Sequence, residues 1–270
     1  MCRVLQVSRS GYYDFLKRSP QPSLGRESLL KSVREIFESS YQSYGSRRIS
    51  ESLKQQGLSV GRFQARSLMR EAGVVVKRRK SFVKTTDSEH DSPICRNILN
   101  RDFSPEAPNQ AWGTDITYLW TKEGWLYLAV VLDFYSRRIV GWSMQEHMKS
   151  DLVEGALAMA CSRRSVSPGL IHHSDRGSQY ASLRYQTQLE HFEMTSSMSR
   201  RGNCWDNSPT ERFFGSLKGE LYNSLFPHSR SEAKREVVKY IEMFYNSKRL
   251  HSTLGYLSPL EFEEQAVVSI

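Results

Sequence analysis

The chain has 270 residues, of which 39% are hydrophobic and 25% are charged, a composition that is ordinary for a globular protein. It carries 38 Lys and Arg residues against 29 Asp and Glu residues, and the resulting net charge of +9 favours a polyanionic partner. No stretch approaches the roughly 20 apolar residues that span a bilayer, and the N-terminus lacks the apolar core of a secretory signal. These features argue against a membrane or exported protein, so we expect a cytoplasmic, nucleoid-associated location.

The first 76 residues are patterned as short helices separated by turns. Residues 27–39 place apolar side chains on one helical face. We predict that Ser46 and Ser59 cap two further helices, and that Gly57 and Gly73 end them. The apolar side chains predicted to pack inward from these two helices are Ile49, Leu53, Phe63, Leu68 and Met69.

A helix, a glycine-containing turn and a second helix form the pattern of a helix-turn-helix unit, which we assign to residues 26–76. The second helix displays basic side chains suited to phosphates and base edges. The DNA-binding residues predicted there are Arg62, Arg66 and Arg70. The alternative is a plain helical bundle whose basic face is only solvated.

Short segments flank this unit on both sides. A helical segment over residues 1–25 precedes it, and a polar, proline-containing linker over residues 77–107 follows it. The linker opens with a basic run made of Lys77, Arg78, Arg79 and Lys80. Such runs are usually solvated segments, but this one is also placed to follow a DNA backbone. We therefore add its four residues to the predicted DNA-binding set.

Beyond residue 107 the pattern changes to strands and helices. The predicted strands cover residues 114–120, 124–133, 138–144, 170–173 and 193–198. The predicted helices are one that Ser150 caps and three more over residues 183–192, 209–222 and 231–246. Three successive strands followed by alternating helices and strands predict an α/β domain with a mixed sheet, which we place at residues 108–265.

Three carboxylates stand out by their positions in this domain. Asp115 lies in the first strand, Asp175 follows a later strand, and Glu211 lies in the first turn of a helix. Grouped carboxylates repel one another unless cations neutralise them, and Mg²⁺ prefers hard oxygen ligands. Each residue also has a simpler explanation: a solvated strand end for Asp115, a turn for Asp175, and a capping box begun by Ser208 for Glu211.

Five segments of the chain resemble one known family. They are WGTDITYL, GWLYLAVVLDFYSRRIVGW, HHSDRGSQY, GNCWDNSPTERFFGSLKGEL and HSTLGYLSPLEFE. They resemble the integrase-type catalytic core of bacterial insertion-sequence transposases, specifically the OrfB product of the IS-three (IS3) family. Asp175 and Glu211 are separated by 35 residues, the spacing for which this Asp-Asp-Glu family is named. Lys218 follows Glu211 by two helical turns and so lies on the same helical face, where the family usually has a basic residue that contacts DNA.

The resemblance implies an RNase H-like fold with a mixed five-stranded sheet and helices on both of its sides. It implies that Asp115, Asp175 and Glu211 are catalytic and bind two Mg²⁺ or Mn²⁺ ions. Water would first attack a phosphodiester at the element's end, and the freed 3′-OH would then attack another phosphodiester without a covalent protein intermediate. The implied partners are the terminal inverted repeats, target DNA, the upstream-frame (OrfA) protein and further copies of the chain.

The sequence leaves alternatives open. The chain is either an active transposase or a catalytically inactive DNA-binding regulator of transposition, and a nuclease without strand transfer is a narrower possibility. Neighbouring residues receive lesser roles. Asp133 is interpreted as structural or DNA-facing, and His172 and His173 as strand-end structure. Trp205 and Asn207 are expected to shape the site or touch DNA.

Overall fold

The computed structural model describes residues 2, 8–17, 24–76, 94–201, 203–225 and 229–268. The chain divides into two compact units, Met1–Val76 and Lys77–Ile270. The basic run made of Lys77, Arg78, Arg79 and Lys80 lies outside the described residues. Within the described ranges, no helix combines the length and the apolar character needed to cross a membrane.

The first unit is built from helices. They are α1 (Arg9–Lys17), α2 (Leu24–Ser39), α3 (Ser46–Gln55) and α4 (Arg62–Glu71). The buried apolar side chains of α3 and α4 are Ile49, Leu53, Ala65, Leu68 and Met69. The Ser50 hydroxyl donates to the backbone oxygen of Val60 at 2.6 Å, which fixes the turn between α3 and α4. Gly57 in this turn has a φ of +80°, a conformation that favours glycine.

The structure corrects three details of this unit. The N-cap residues of α3 and α4 are Gly45 and Gly61, and neither forms a side-chain cap. The predicted caps Ser46 and Ser59 are therefore wrong, because Ser46 is already helical and α4 begins three residues after Ser59. Phe63 does not pack inward either, since 81% of its surface is exposed on α4.

The second unit contains a five-stranded mixed sheet, as expected. Its strands are β1 (Ala111–Thr121), β2 (Gly124–Asp133), β3 (Ile139–Gln145), β4 (Ile171–Ser174) and β5 (Thr195–Met198). Their order across the sheet is β3-β2-β1-β4-β5. β1 pairs antiparallel with β2, as β2 does with β3, whereas β1–β4 and β4–β5 are parallel.

Helices cover both faces of this sheet. They are α5 (Ser150–Arg163), α6 (Leu183–His191), α7 (Ser208–Leu225), α8 (Arg230–Lys239) and α9 (Pro259–Val268). Trp112 of β1 packs in one core with α5 and α6. The next residue, Gly113, points to the opposite face, where a Cβ atom would lie only 2.7 Å from the Thr210 hydroxyl of α7. The glycine therefore allows α7 to pack directly on β1.

Helix starts and ends differ from the prediction at particular residues. Ser150 is the first residue of α5 and the N-cap is Lys149, so the predicted Ser150 cap is wrong. A 3-10 turn (Cys204–Asn207) runs directly into α7, and Ser208 already has helical φ and ψ of −56° and −31°. Because an N-cap residue needs an extended backbone, Ser208 does not open the predicted capping box.

The last predicted helix is two segments joined end to end. α8 continues into a π-helical turn, Tyr240–Tyr245, in which the Asn246 N–H donates to the oxygen of Ile241 at 2.9 Å. This turn aims the Asn246 side chain at β3, where it donates to the backbone oxygen of Ile139 and accepts from its N–H, both at 2.9 Å.

Candidate active site

Asp115 and Asp175 are brought together by the pairing of β1 with β4. The parallel ladder aligns Ala111 with Ile171 and Gly113 with His173. If this register continues for two residues beyond the last pair, Gly113 with His173, Asp115 lies opposite Asp175. The site therefore lies at the carboxyl end of β4, the edge where ligands bind in open α/β sheets.

Asp175 also stabilises a turn, which is the simpler role that the sequence suggested for it. Its Oδ1 accepts the backbone N–H of Gly177 at 2.9 Å. The residue is half-buried rather than solvated. The turn holds the carboxylate at the strand end, so the structural role and a role in the site are compatible.

The start of α7 is tied to β1 next to Asp115. The side-chain amide of Asn207 donates to the backbone oxygen of Thr114 at 3.0 Å, and its oxygen accepts the Thr210 hydroxyl at 2.9 Å. Asn207 and Thr210 are both buried. Glu211, exposed in the first turn of α7, is thereby held on the same side of β1 as Asp115.

The three carboxylates interact electrostatically. The pKa of Asp115 is raised well above its usual value, mainly by burial and by the negative charge of Asp175, with a further contribution from Glu211. The N–H of Ile116, 2.7 Å from Asp115 Oδ1, and the charge of Lys218 act in the opposite direction. A concentration of negative charge therefore sits at the edge of the sheet.

Lys218 lies beside this cluster, on the helical face that its spacing from Glu211 predicts. Its Nζ is 4.7 Å from the centroid of the Tyr118 ring, a cation–π distance. Burial lowers the pKa of Lys218, while the negative charge of Asp115 raises it. One partly buried cation thus borders the three carboxylates.

Sequence reasoning missed two residues that support the site. The buried Tyr180 hydroxyl lies 3.3 Å from the Thr114 hydroxyl, and the pKa of Tyr180 is raised by burial first and then by Asp115. Buried Asp206 accepts from Arg101 Nε at 2.7 Å and Arg200 Nε at 2.9 Å. Both residues stand inside the quoted motifs, but Thr114 and Arg101, which contact them, are distant in sequence.

His172 and His173 are part of the strand-end structure, as the sequence favoured, and Asp133, which the sequence left as structural or DNA-facing, is held inside the fold. Buried Asp133 accepts the N–H groups of Asn109 and Tyr135 at 2.7 and 2.8 Å. Burial lowers the pKa of His172 to about 3 and that of His173 to about 4, so both rings are neutral at pH 7. Their ring nitrogens lie within hydrogen-bond distance of hydroxyl groups inside the fold.

The remaining predicted residues lie at the surface. Trp205, in the 3-10 turn before α7, is 70% exposed. Arg62, Arg66 and Arg70 are exposed on α4 of the first unit.

The donor set of the site suits a hard divalent cation. Asp115, Asp175 and Glu211 supply only carboxylate oxygens, the ligands that Mg²⁺ and Mn²⁺ prefer. Burial and, after it, the charges of Asp175 and Glu211 raise the pKa of Asp115, and a bound cation would offset these effects. Among the described residues, no three His, Cys, Asp or Glu side chains are grouped closely enough to hold a metal as they stand. The carboxylates share a neighbourhood without forming a closed metal-binding group.

The fold and this site define an integrase-type core. Models of the integrase core domain family match residues 105–204 and 211–267, and a model of an HTH-like domain matches residues 25–82. A chain of the cryo-EM structure of a simian T-cell lymphotropic virus intasome with PP2A regulatory subunit B56 gamma is 15% identical. Its TM-score is 0.50, and the alignment covers 86% of this chain and 74% of that chain. At this identity the likeness shows the fold alone.

Curated relatives cover nearly the whole chain. A 31 kDa protein of insertion element IS600 from Shigella sonnei is 42% identical over 266 residues, 98% of both chains. The transposase InsF of insertion sequence IS3A from Escherichia coli K12 is 41% identical over 268 residues, covering 98% of this chain and 93% of that one. A transposase of element IS904 from Lactococcus lactis is 41% identical over 248 residues, 92% of this chain and 98% of that one. The chain belongs to the IS3 family of insertion-sequence transposases.

Proposed function

We propose that this chain is a transposase that, with Mg²⁺ or Mn²⁺, cleaves the ends of an insertion sequence and joins them to target DNA. The observation that carries the proposal is the placement of Asp115 beside Asp175 by the pairing of β1 with β4, with Glu211 near enough to act on Asp115. A fold does not accumulate negative charge at a half-buried position without a cost in stability, so such a cluster marks a functional site.

Asp115, Asp175 and Glu211 would together hold two divalent ions. When bound, such ions activate the attacking oxygen and stabilise the leaving oxygen of an in-line displacement at phosphorus. Asp175 is held by its turn and Asp115 by β1, and Glu211 stands exposed in the first turn of α7. In this proposal the protein holds the three carboxylates near the end of β4, where the DNA would bind.

Lys218 and Asn207 have positioning roles in this proposal. The ammonium group of Lys218 borders the carboxylates and would attract a phosphate of the bound DNA. Asn207 fixes the start of α7 to β1, so Glu211 begins from a defined position. Positioning and charge stabilisation account for most of the catalysis expected for phosphoryl transfer of this kind.

DNA binding by the first unit is also part of the proposal. Arg62, Arg66 and Arg70 are exposed on α4, and the basic run 77–80 follows this unit in sequence. We further propose the division into a helical segment, a helix-turn-helix unit over 26–76, a linker and a catalytic domain over 108–265. The proposed protein partners are the upstream-frame transposase protein and further copies of this chain.

Strand transfer by wild type and Glu211→Gln tests the proposal. The substrate is a labelled duplex carrying the element's terminal inverted repeat, with target DNA, Mg²⁺ and the upstream-frame protein present. We expect joined product from the wild type and a loss of at least about 100-fold in the variant, because one ligand charge is removed. The matched control is Glu190→Gln, which removes the same charge from an exposed position on α6 and should retain activity.

The other outcomes distinguish the alternatives. No product from folded wild type would favour the inactive regulator, and cleavage without joining would favour a nuclease. Equal product from wild type and Glu211→Gln would remove Glu211 from the site. Thermal unfolding gives a second readout, since Mg²⁺ should raise the Tm of the wild type more than that of Glu211→Gln.

A further inference from the structure

The outward face of α4 carries one large apolar side chain among basic and polar ones. Ala65, Leu68 and Met69 turn to the core. Phe63, Arg66, Ser67 and Arg70 follow the i, i+3, i+4, i+7 spacing that places residues on one helical face, and all four are exposed. Phe63 stands at the first turn of this face with 81% of its surface exposed.

Packing among the described residues of the first unit leaves the Phe63 side chain exposed. Burying a phenylalanine side chain stabilises a fold, and this position forgoes that gain. The guanidinium carbon of Arg62 is 6.0 Å from the centroid of the Phe63 ring. Arg66 and Arg70 form no ion pair with any residue that the structure describes. The outward face of α4 therefore combines the exposed ring of Phe63 with the positive charges of Arg66 and Arg70, which no acidic residue in the described part of the unit pairs with.

We propose that Phe63 contacts the 5-methyl group of a thymine in the DNA major groove, while Arg66 and Arg70 contact phosphates or guanine edges beside it. The inference rests on the proposed DNA binding of this unit and adds which base is recognised and by which residue. In a helix-turn-helix the N-terminal residues of the second helix reach the base edges, and Phe63 is the second residue of α4. The thymine methyl is the apolar feature of the major groove, and phenylalanine is one of the side chains that contact it.

Two observations favour DNA over an apolar protein partner. The arginines on this face complement a polyanion, whereas the one acid of α4, Glu71, is engaged by Arg26 at 2.6 Å. The turn before α4 is fixed by the bond from Ser50 to Val60, so Phe63 is presented on a defined element, as base recognition requires.

The test begins with a random duplex pool, because the recognised sequence is not needed in advance. The full chain, as wild type and as Phe63→Ala, is incubated with a pool containing 20 randomised base pairs, and bound DNA is sequenced. We expect a thymine position to be enriched by the wild type and lost with Phe63→Ala. The matched control is Val75→Ala, which removes an apolar side chain that is 76% exposed beyond the end of α4 and should keep the enrichment.

Replacing thymine by uracil at the enriched position then isolates the methyl group. Wild-type affinity should fall about fourfold, the effect of losing one buried methyl group, whereas Phe63→Ala should bind the two duplexes equally. An equal loss in both proteins, or no loss in the wild type, overturns the inference, as does thymine enrichment that survives Phe63→Ala. If the wild type selects sequences without any thymine preference, DNA binding stands and only the inference fails. If the folded wild type binds no duplex, the proposed DNA binding fails as well.

Discussion

Two aspartates of the second unit have pKa values that their surroundings shift in opposite directions. Asp115 is half-buried beside other carboxylates, and its pKa is raised by burial first and then by the charge of Asp175. Hydrogen bonds from Arg200 and Arg101 hold the pKa of Asp206 well below its usual value. Asp206 is therefore a stabilising carboxylate, whereas the surroundings of Asp115 disfavour its charged form. The contrast distinguishes Asp206, which stabilises the loop before α7, from Asp115, which is proposed to take part in catalysis.

Replacing Asp206 tests the structural half of this contrast. Asp206→Asn should lower the free energy of unfolding at pH 7 by about 2 kcal/mol, a typical loss for hydrogen bonds to a charged group. The side chains of Arg101 and Arg200 are 43% and 49% exposed, so solvent screening keeps the loss moderate. Urea unfolding at pH 7, 5 and 3 measures it.

The pH dependence of that loss has a definite sign. A lowered pKa in the folded state gives stability that is present above the unfolded-state value of about 3.9 and is lost as pH falls toward the lower folded-state value. The difference between wild type and Asp206→Asn should therefore narrow from pH 5 to pH 3. A difference that stays constant or grows over this range would show that the Asp206 charge contributes nothing. Glu190→Gln, at an exposed position, should show no such trend.

At the scale of elements, α7 carries both the proposed active-site residues and its own anchor. Glu220, nine residues after Glu211, is buried and accepts from Arg249 Nη2 at 2.7 Å and from the Tyr240 hydroxyl at 2.6 Å. Arg249 also donates to the Ser216 hydroxyl at 3.1 Å. These bonds lock α7 to the π-helical turn and to the segment after it, so the direction of the helix is set at the end away from the site.

Breaking this ion pair should be costly. The side chains of Arg249 and Glu220 are only 6% and 7% exposed, so Arg249→Met leaves a buried charge without its partner and should cost about 3–5 kcal/mol. Combining it with Glu220→Leu should recover at least half of the loss, because an apolar pair removes the stranded carboxylate. Denaturant unfolding of the two single variants and the double variant measures this coupling. A single-variant loss below about 1 kcal/mol, or a double variant no better than the single one, would contradict the buried-pair account.

The sequence predicted the elements better than their ends. Apolar runs marked the strands β1, β2 and β3, because short apolar runs bounded by turn residues are typical of buried strands. The predicted serine caps failed because a neighbouring residue, Gly45 or Lys149, takes the extended backbone instead, and local sequence does not decide between adjacent candidates. Phe63 was placed inward for its hydrophobicity alone, although Ala65, Leu68 and Met69 already complete the buried face.

The residues of the candidate site could be proposed from the sequence, whereas the contacts that support them could not. Asp115, Asp175 and Glu211 come from motifs and their spacing, and the structure brings them into electrostatic contact. Tyr180 and Asp206 act through partners 66 and 105 residues away in sequence. These contacts arise when the sheet packs with α7, and local sequence patterns do not predict that packing.

At the scale of the whole molecule, the net charge of +9 is a weak guide unless its location is known. On the first unit, some cations already have acidic partners. Lys54 lies 2.8 Å from Glu51, and Lys31 lies 3.9 Å from Glu35. Arg66 and Arg70 differ, since both are exposed on α4 and neither is paired within the described residues. If DNA binds at α4, the two arginines and the two lysines should contribute very differently to affinity although they carry the same charge.

Salt dependence separates charge from location. Arg66→Ala/Arg70→Ala and Lys31→Ala/Lys54→Ala each remove two positive charges from the full chain. Each phosphate contact contributes about 0.9 to the slope of log affinity against log salt, so the arginine pair should flatten this slope by about 1.8 and the lysine pair by much less. Fluorescence anisotropy with a labelled duplex measures both slopes between about 50 and 200 mM salt, the range over which phosphate contacts strongly affect affinity. Equal slopes for the two variants would mean that DNA responds to overall charge and that α4 is not the contact surface, whereas a selective loss would place the phosphate backbone on the face that carries Phe63.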